Sequence, residues 1–401
     1  MHAPSPSHIL RIHAAHVIAV SFSVDNERLY SGDTSGDVVV TSTRTLRPIV
    51  SWRAHTDGIL GVQEWASNII THGRDNKLHV WERVLAPPSL GTAASSPDIP
   101  TPPLRYSLDV NALNFCRFSL LPYSAPQARS SSSSDELALV AVPNLIESSL
   151  ADIWELPSCS RLHAAIGKPE APEIGMKSWQ IDRDGRGNAK TGILMSLHLF
   201  MKSEKLHLLS AYESGEVALR QCLAGIGEKT IEGRGWECLW KTKQHNESVM
   251  AMTVSRDSSF ALTVSADSTI TRYSLDGPHE YRFTKHRIKQ AGNGSVTLRS
   301  DGRVCAVGGW DGKIRLFSTK TFKPLGTLSY HTKSCQALAF AHSSAVSSVP
   351  DTNVSHATED ANNDDDVTRE EKEARTRWLA SGSQDHRIAV WQLISFSKDA
   401  H

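Results

Sequence analysis

Short runs of alternating apolar and polar residues recur along the chain, each closed by a polar turn. Near the C-terminal end, Ser381 is followed four positions later by Asp385 and ten positions later by Trp391. The same spacing joins Thr71, Asp75 and Trp81, then Thr263, Asp267 and Tyr273, then Val307, Asp311 and Phe317. Two worn copies, Ser31/Ser35/Thr41 and Ser210/Ser214/Arg220, keep the register, and a seventh stretch ending at Trp154 carries a longer turn. Upstream, a polar residue precedes apolar ones at +4, +7 and +9: His13/Val17/Val20/Phe22, His245/Val249/Met252/Val254 and His331/Cys335/Leu338/Phe340. His55/Ile59/Val62 follows the rule until Glu64 breaks it, while Asp109/Leu113/Cys116/Phe118 and Lys289/Asn293/Val296/Leu298 keep it without the His. Alternation of period two is the signature of a strand, not a helix. Several short strands per unit, separated by turn residues, predict a four-stranded antiparallel sheet. Seven units of about 40 residues plus insertions account for the whole length.

These units resemble the WD-repeat β-propellers, from about Ile9 to Leu393. That family places a His early in each unit, an Asp in the turn between the second and third strands, and a Trp at the end of the third. The resemblance implies an all-β, seven-bladed WD-repeat β-propeller. Its structural blade residues are His13, His55, Asp75, Trp81, Trp154, His245, Asp267, Tyr273, Asp311, Phe317, His331, Ser381, Asp385 and Trp391. The last unit reaches its third strand at Ile388–Trp391, and Ile9 to Ile12 are free to supply the fourth, closing the ring and removing an exposed sheet edge. The expectation is one domain over 1–401, where length alone would suggest two or three.

Four insertions interrupt the repeat. Residues 85–103 hold six prolines and read as a structureless loop. Residues 122–136 include the serine run Ser130 to Ser134 followed by Asp135 and Glu136, an arrangement open to an acid-directed kinase. Residues 168–191 are polar and rich in Gly and Pro, and 343–376 separate His331 from its own Ser381–Asp385 turn. Within the last, Glu359 to Glu373 carry eight acids against two bases, a local charge of −6. Such a run reads as a solvated loop, with a docking segment for a basic partner as the sharper alternative.

Over the full 401 residues, 43 Lys and Arg balance 43 Asp and Glu, which argues against a nucleic-acid footprint. No run reaches the 18 or more apolar residues of a membrane span, and the N-terminal stretch lacks the pattern of a secretory signal. The six cysteines, at 116, 159, 222, 238, 305 and 335, form no C-x-x-C pair and are expected to be reduced thiols of an intracellular protein.

Catalytic chemistry finds little footing. His331, Ser381 and Asp385 could be drawn as a hydrolase triad, but comparable sets recur at fixed offsets in several units, whereas a catalytic triad occurs once. Gly185 to Gly192 has glycines and Lys190-Thr191 but not in phosphate-loop order, and Asp364 to Asp366 lack the spacing of a calcium loop. No catalytic, cofactor-binding or metal-binding residues are expected. What remains is surface. In such a propeller the residue before each turn Asp lies near the central opening, which makes Trp310, Arg74 and Gln384 the candidate partner-binding residues, with Ala266 and Thr34 beside them. An exposed Trp at a channel mouth is a candidate interface anchor; packing on a neighbouring loop is the plainer reading.

More specific stretches narrow the resemblance. Residues 53–65, running from Arg53-Ala54-His55 to Trp65, continue into Ile70-Thr71-His72-Gly73-Arg74-Asp75 and Trp81. With Ala141–Asn144, Asp152–Trp154, Ala211–Gly215 and Gly308–Phe317, they are similar to the fungal ASTRA-associated protein 1 family, whose animal relative is the G-protein β-subunit-like protein. The resemblance implies a non-enzymatic scaffold subunit of a multiprotein assembly, linked to chromatin remodelling and to the cochaperone machinery that matures phosphatidylinositol-3-kinase-related kinases. It also implies residence in the nucleus, with the cytoplasm as a second location, and a monomeric propeller within a hetero-complex, without nucleic acid or membrane contact. Two other classes remain: a ubiquitin-ligase substrate receptor and a G-protein β-like signalling adaptor. For the latter, the chain enters its first unit too early to offer a coiled-coil helix.

Overall fold

The computed structural model describes residues 4–84, 101–113, 115–123, 136–169, 191–225, 227–276, 283–343 and 369–393. Within them, seven four-stranded antiparallel sheets follow one another around a ring. Six take four consecutive strands each: blade 1 at 17–53, blade 2 at 59–109, blade 3 at 119–166, blade 4 at 194–243, blade 5 at 249–287 and blade 6 at 293–329. Blade 7 has three late strands, Cys335–Phe340, Trp378–Ser383 and Ile388–Gln392, and is completed by His8–Leu10 from the other end of the chain. His8 lies opposite Val390, Ile9 opposite Ala389 and Leu10 opposite Ile388. The closing strand thus starts one residue earlier than expected and stops at Leu10 instead of Ile12.

Position within a blade decides composition. Second strands such as Asn68–Gly73, Val304–Gly309 and Trp378–Ser383 are buried throughout, because a neighbouring blade covers each face. They read as runs of small and apolar residues without strict alternation. Outer strands such as Pro324–Ser329 are mostly exposed. The seams carry the hydrophobic cores: Val38, Val40 and Trp52 of blade 1 meet Ile59, Ile69 and Trp81 of blade 2. Trp391 of blade 7 packs with Val304 and Leu316 of blade 6. Each such buried side chain contributes about 1.5–3 kcal/mol relative to exposure.

The innermost strands share an irregularity that matters for the site. Their register slips between Val17 and Ala19, Ile59 and Gly61, Leu194 and Ser196, Val249 and Ala251, Asn293 and Ser295, and Cys335 and Ala337. A bulge of this kind leaves one residue outside the ladder, with its backbone groups turned away from the sheet.

Glu64, where the second repeat breaks, has a reason to be polar. Its carboxylate accepts from the Tyr30 hydroxyl and Arg28 Nε (3.2 Å) of blade 1 and from Arg83 Nη1 (2.6 Å) of blade 2. Burial and the adjoining carboxylate push the Tyr30 phenol pKa up. A charge set between two blades with three donors is satisfied, where a lone one would be costly.

Three stretches differ from expectation. Asn111, not Asp109, is buried at the head of blade 3; Asp109 lies exposed at the end of strand Leu104–Asp109, ion-paired with Lys77. Leu113 also lies out in solvent, 74% exposed, where the pattern expects an apolar core position, while Cys116 and Phe118 are buried as the spacing expects. Pro122 belongs to strand Ser119–Tyr123, opposite Ala138, not to the insertion 122–136. The insertion 343–376 ends in a short helix, Arg369–Arg375, with Glu370 and Glu371 in its first turn and Lys372 and Arg375 in its last, the arrangement that suits the helix dipole. Arg375 is buried and pairs with Glu27 at 3.3 Å, tying this helix to blade 1. The serine run, residues 185–190 of the glycine-rich stretch and residues 359–368 of the acidic run lie outside the described residues.

Candidate functional site

The recurring Ser/Thr–His–Asp sets occupy blades 1, 2, 5 and 7. In blade 7, His331 Nδ1 lies 2.9 Å from Asp385 Oδ2 and Nε2 2.9 Å from Ser381 Oγ, which also accepts from Trp391 Nε1 (3.1 Å). Blade 2 repeats this with His55, Asp75 (2.9 Å), Thr71 (2.8 Å) and Trp81 (2.9 Å). Blade 5 does so with His245, Asp267 (3.2 Å) and Thr263 (2.7 Å), and Tyr273 fills the aromatic position. Burial lowers the pKa of His55, His245 and His331 against the pull of their aspartates. A carboxylate only accepts, so the neutral ring carries its proton on Nδ1, and Nε2 accepts from the hydroxyl. The hydroxyl-bearing residues Ser31, Thr71, Thr263 and Ser381 are at most 1% exposed, with no approach for a substrate. These sets stitch strands together.

Blade 1 keeps the set by a substitution that spacing hides. Ser35 stands where Asp is expected, but Asp33, two residues earlier, reaches His13 Nδ1 at 2.8 Å, while Nε2 meets Ser31 Oγ at 2.8 Å. Blades 4 and 6 use other partners. Arg220, in the aromatic position of blade 4, is buried and donates to the Tyr212 hydroxyl at 3.0 Å. In blade 6, Lys289 is exposed, and Asp311 instead takes Arg315 at 2.6 Å, which holds its carboxyl below the usual range. Phe317 is buried in the seam with blade 5, and Trp154 is half-buried in the seam between blades 2 and 3, beneath Arg161.

One hydrogen bond fixes where the candidate surface residues lie. In six blades the amide of a residue in the turn between strands two and three donates to the carbonyl two residues before the inner-strand bulge. The pairs are Thr34 to His16, Arg74 to Gly58, Glu213 to Ile193, Ala266 to Ser248, Trp310 to Gly292 and Gln384 to Ser334. All six turns therefore sit at the same end of their blades, beside the start of the innermost strand. Trp310 is 48% exposed, with one side of its ring against the backbone of Gly292 and Gly294. Arg74 is exposed, its guanidinium 4.7 Å above the ring of Phe115, and Gln384 is half-buried.

The repeat arithmetic misses other members of this face, because they sit where blade 3 departs from the pattern. Phe115 and Leu113 precede its first strand, and Leu145 and Ile146 lie in its long turn; all four are exposed. The two loops are joined by Asn111, whose Nδ2 donates to Asn144 O (2.8 Å) and Ser148 Oγ (3.0 Å). Arg117 is also unforeseen. Its Nη2 donates to Ile18 O (2.6 Å) on blade 1 and Gln336 O (3.2 Å) on blade 7, the carbonyls of two bulged residues, so an arm from blade 3 reaches across the channel.

Among the described residues, His55, Asp75 and His79 place ligand atoms within 4.8 Å of one another. The His55 ring is already committed to Asp75 and Thr71 and is stacked on His79 at 4.5 Å, an arrangement that does not aim two imidazole lone pairs at one ion. The six cysteines are free thiols, four of them buried. No helix among the described residues is long and apolar enough to cross a membrane.

Comparison with known proteins agrees with this architecture. The family model "WD domain, G-beta repeat" matches residues 236–274 and 284–318. Each match begins with the outer strand of one blade and ends with the third strand of the next. ASTRA-associated protein 1 of Verticillium alfalfae is 32% identical, covering 98% of this chain and 93% of its own length. The protein of that name from Schizosaccharomyces pombe is 29% identical over 98% of this chain and all of its own. The mouse guanine nucleotide-binding protein subunit beta-like protein 1 is 25% identical, with 97% and 96% covered. Among solved structures, the beta-propeller domain of Cps50 (Swd1) from Myceliophteria thermophila superposes with a TM-score of 0.65 at 13% identity, covering 97% of this chain and 99% of that one.

Proposed function

Because the chain belongs to the ASTRA-associated protein 1 family, we propose that it is a non-catalytic WD-repeat scaffold subunit of an ASTRA assembly, acting in chromatin remodelling and in maturation of phosphatidylinositol-3-kinase-related kinases. The observation that carries this reading is collinear identity: 32% over 98% of the chain, with nearly the whole relative covered. A platform role suits a ring whose recurring Ser, His and Asp are consumed in holding blades together. Such a ring offers partners an exposed Trp310, with Arg74 and Gln384 on the same rim. Nuclear residence follows from the chromatin role, with a cytoplasmic fraction where the kinase-maturation machinery works.

The test is purification of the chain, tagged at its own chromosomal locus, with identification of co-purifying proteins. ASTRA components are the expected companions. Ubiquitin-ligase subunits or a γ-like chain in their place would transfer the protein to the receptor or adaptor class.

A further inference from the structure

The opening ringed by the strand-two-to-three turns combines three features in one place. First, Leu113, Phe115, Leu145 and Ile146 form an apolar rim on blade 3, with Ile146 86% exposed and Phe115 60% exposed. Large exposed apolar groups gathered on two joined loops suit an interaction surface. Second, Arg74 rests on Phe115 and has no carboxylate partner among the described residues. Third, Arg117 reaches into the channel with its side chain exposed, braced by the Ile18 and Gln336 carbonyls through a single nitrogen. No carboxylate meets it among the described residues. Backbone carbonyls satisfy two donor directions of a five-donor fork and leave its charge uncompensated.

The acids on these loops have partners of their own: Glu147, next to Ile146, accepts from the Ser149 hydroxyl at 2.8 Å, and Asp57 accepts from the Gly58 amide at 2.6 Å. Glu213 holds the corresponding turn of blade 4, where its carboxylate lies over Gly192 and accepts weakly from the Ile193 amide at 3.4 Å. Asp311 is taken by Arg315.

We infer that this face docks an acidic, apolar segment of a partner protein, which lays Leu-, Ile- or Phe-type side chains on the blade 3 rim and brings a carboxylate to Arg74 and Arg117. Charge complementarity selects the acid, and the rim selects a peptide over a phosphate backbone, which would find no use for four exposed apolar side chains. Trp310, across the opening on blade 6, is placed to cover the far end of the segment. This inference rests on the scaffold reading above and adds to it the face and the chemistry of the partner.

The purified full chain is panned against a random-peptide phage library, and the selected peptides are synthesised with a fluorophore for anisotropy titration. Selected sequences are expected to combine Asp or Glu with Leu, Ile or Phe, and replacing their acids with Gln should cost about tenfold or more in affinity, as for a charge-assisted Arg–carboxylate contact. Arg117→Met should weaken binding similarly. Because that change also removes the braces to blades 1 and 7, Arg74→Glu and Ile146→Ser, both at exposed positions, serve as variants whose folding is not at stake. Neutral or basic selected peptides, acidic ones that bind the Arg74→Glu chain as well as wild type, or recovery of no binding peptide would each overturn the inference. If ASTRA components still co-purify in that event, only the acidic segment is lost; if they fail to co-purify with wild type, the scaffold reading fails on its own.

Discussion

The hydroxyl of Tyr30, on blade 1, donates to the carboxylate of Glu64, on blade 2, so a hydrogen bond to a charge spans the seam between two independently hydrogen-bonded sheets. Arg28 and Arg83 complete the shell. Replacing Glu64 with Ala strands the Arg83 guanidinium and the phenol, leaves Arg28 with Asp25 alone, and should cost about 1–3 kcal/mol of stability. Thermal melts of Glu64→Ala and Tyr30→Phe check this; the phenylalanine variant, which leaves both arginines paired, should lose less.

Gly36 follows the blade 1 turn at φ 91°, and a Cβ there would stand 2.1 Å from the His55 carbonyl oxygen. The same relation joins Gly312, φ 76°, to the His331 carbonyl. No flexible side chain can move aside to make room. Gly36→Ala should therefore destabilise the protein by more than the ~1 kcal/mol of an ordinary Gly-to-Ala backbone effect. Denaturant titration measures it, and a neutral or stabilising result would contradict the close packing of adjacent blades.

Stability should fall as pH drops below about 6.5. Burial holds His72 at a pKa of about 3 and His163 at about 4, and lowers His55, His245 and His331 as well, all from an ordinary 6.5. The unfolded chain takes up protons near 6.5 while the folded chain resists until lower pH. The stabilisation is thus complete above that point and drains away below it, at about 1.4 kcal/mol per pH unit for each fully buried ring. Melting at pH 7.5 and pH 5.0 checks the sign; an equal or higher midpoint at pH 5.0 would contradict it.

The ring closure itself is testable. His8–Leu10 supplies the outer strand of blade 7, with Leu10 buried against Ile388 and Val390. Removing residues 1–10 should expose the edge of Ile388–Gln392, lower the melting midpoint and promote association of the unpaired edge. Size-exclusion chromatography and melting of the truncated chain measure both effects.

The blades could be read from the sequence because their polar positions are fixed by buried hydrogen bonds. A His that must meet an Asp and a hydroxyl leaves a spacing, and His55–Asp75–Thr71 and His331–Asp385–Ser381 leave it twice over. Where the partner is supplied differently the spacing misleads: Asp33 stands in for the expected turn acid, and Asn111, two residues after Asp109, takes the buried polar position at the head of blade 3. The helix Arg369–Arg375 was hidden inside a charge run, because the same acids that suit a solvated loop also suit a helix N-terminus. Arg117 left no local trace at all. Its acceptors lie 99 and 219 residues away, and only ring closure brings them together.

Quantitative co-purification decides whether this propeller is an ASTRA subunit held through the face that carries Trp310. The wild-type chain and a Trp310→Ala/Arg74→Glu variant, both tagged and matched for melting temperature, are purified in parallel, and the companion proteins are measured by mass spectrometry. Wild type should bring down ASTRA components, and the variant should recover them about tenfold less or worse, as expected when an aromatic anchor and a charged contact are lost together. Recovery of those components undiminished by the variant, or their absence from the wild-type sample, would contradict it.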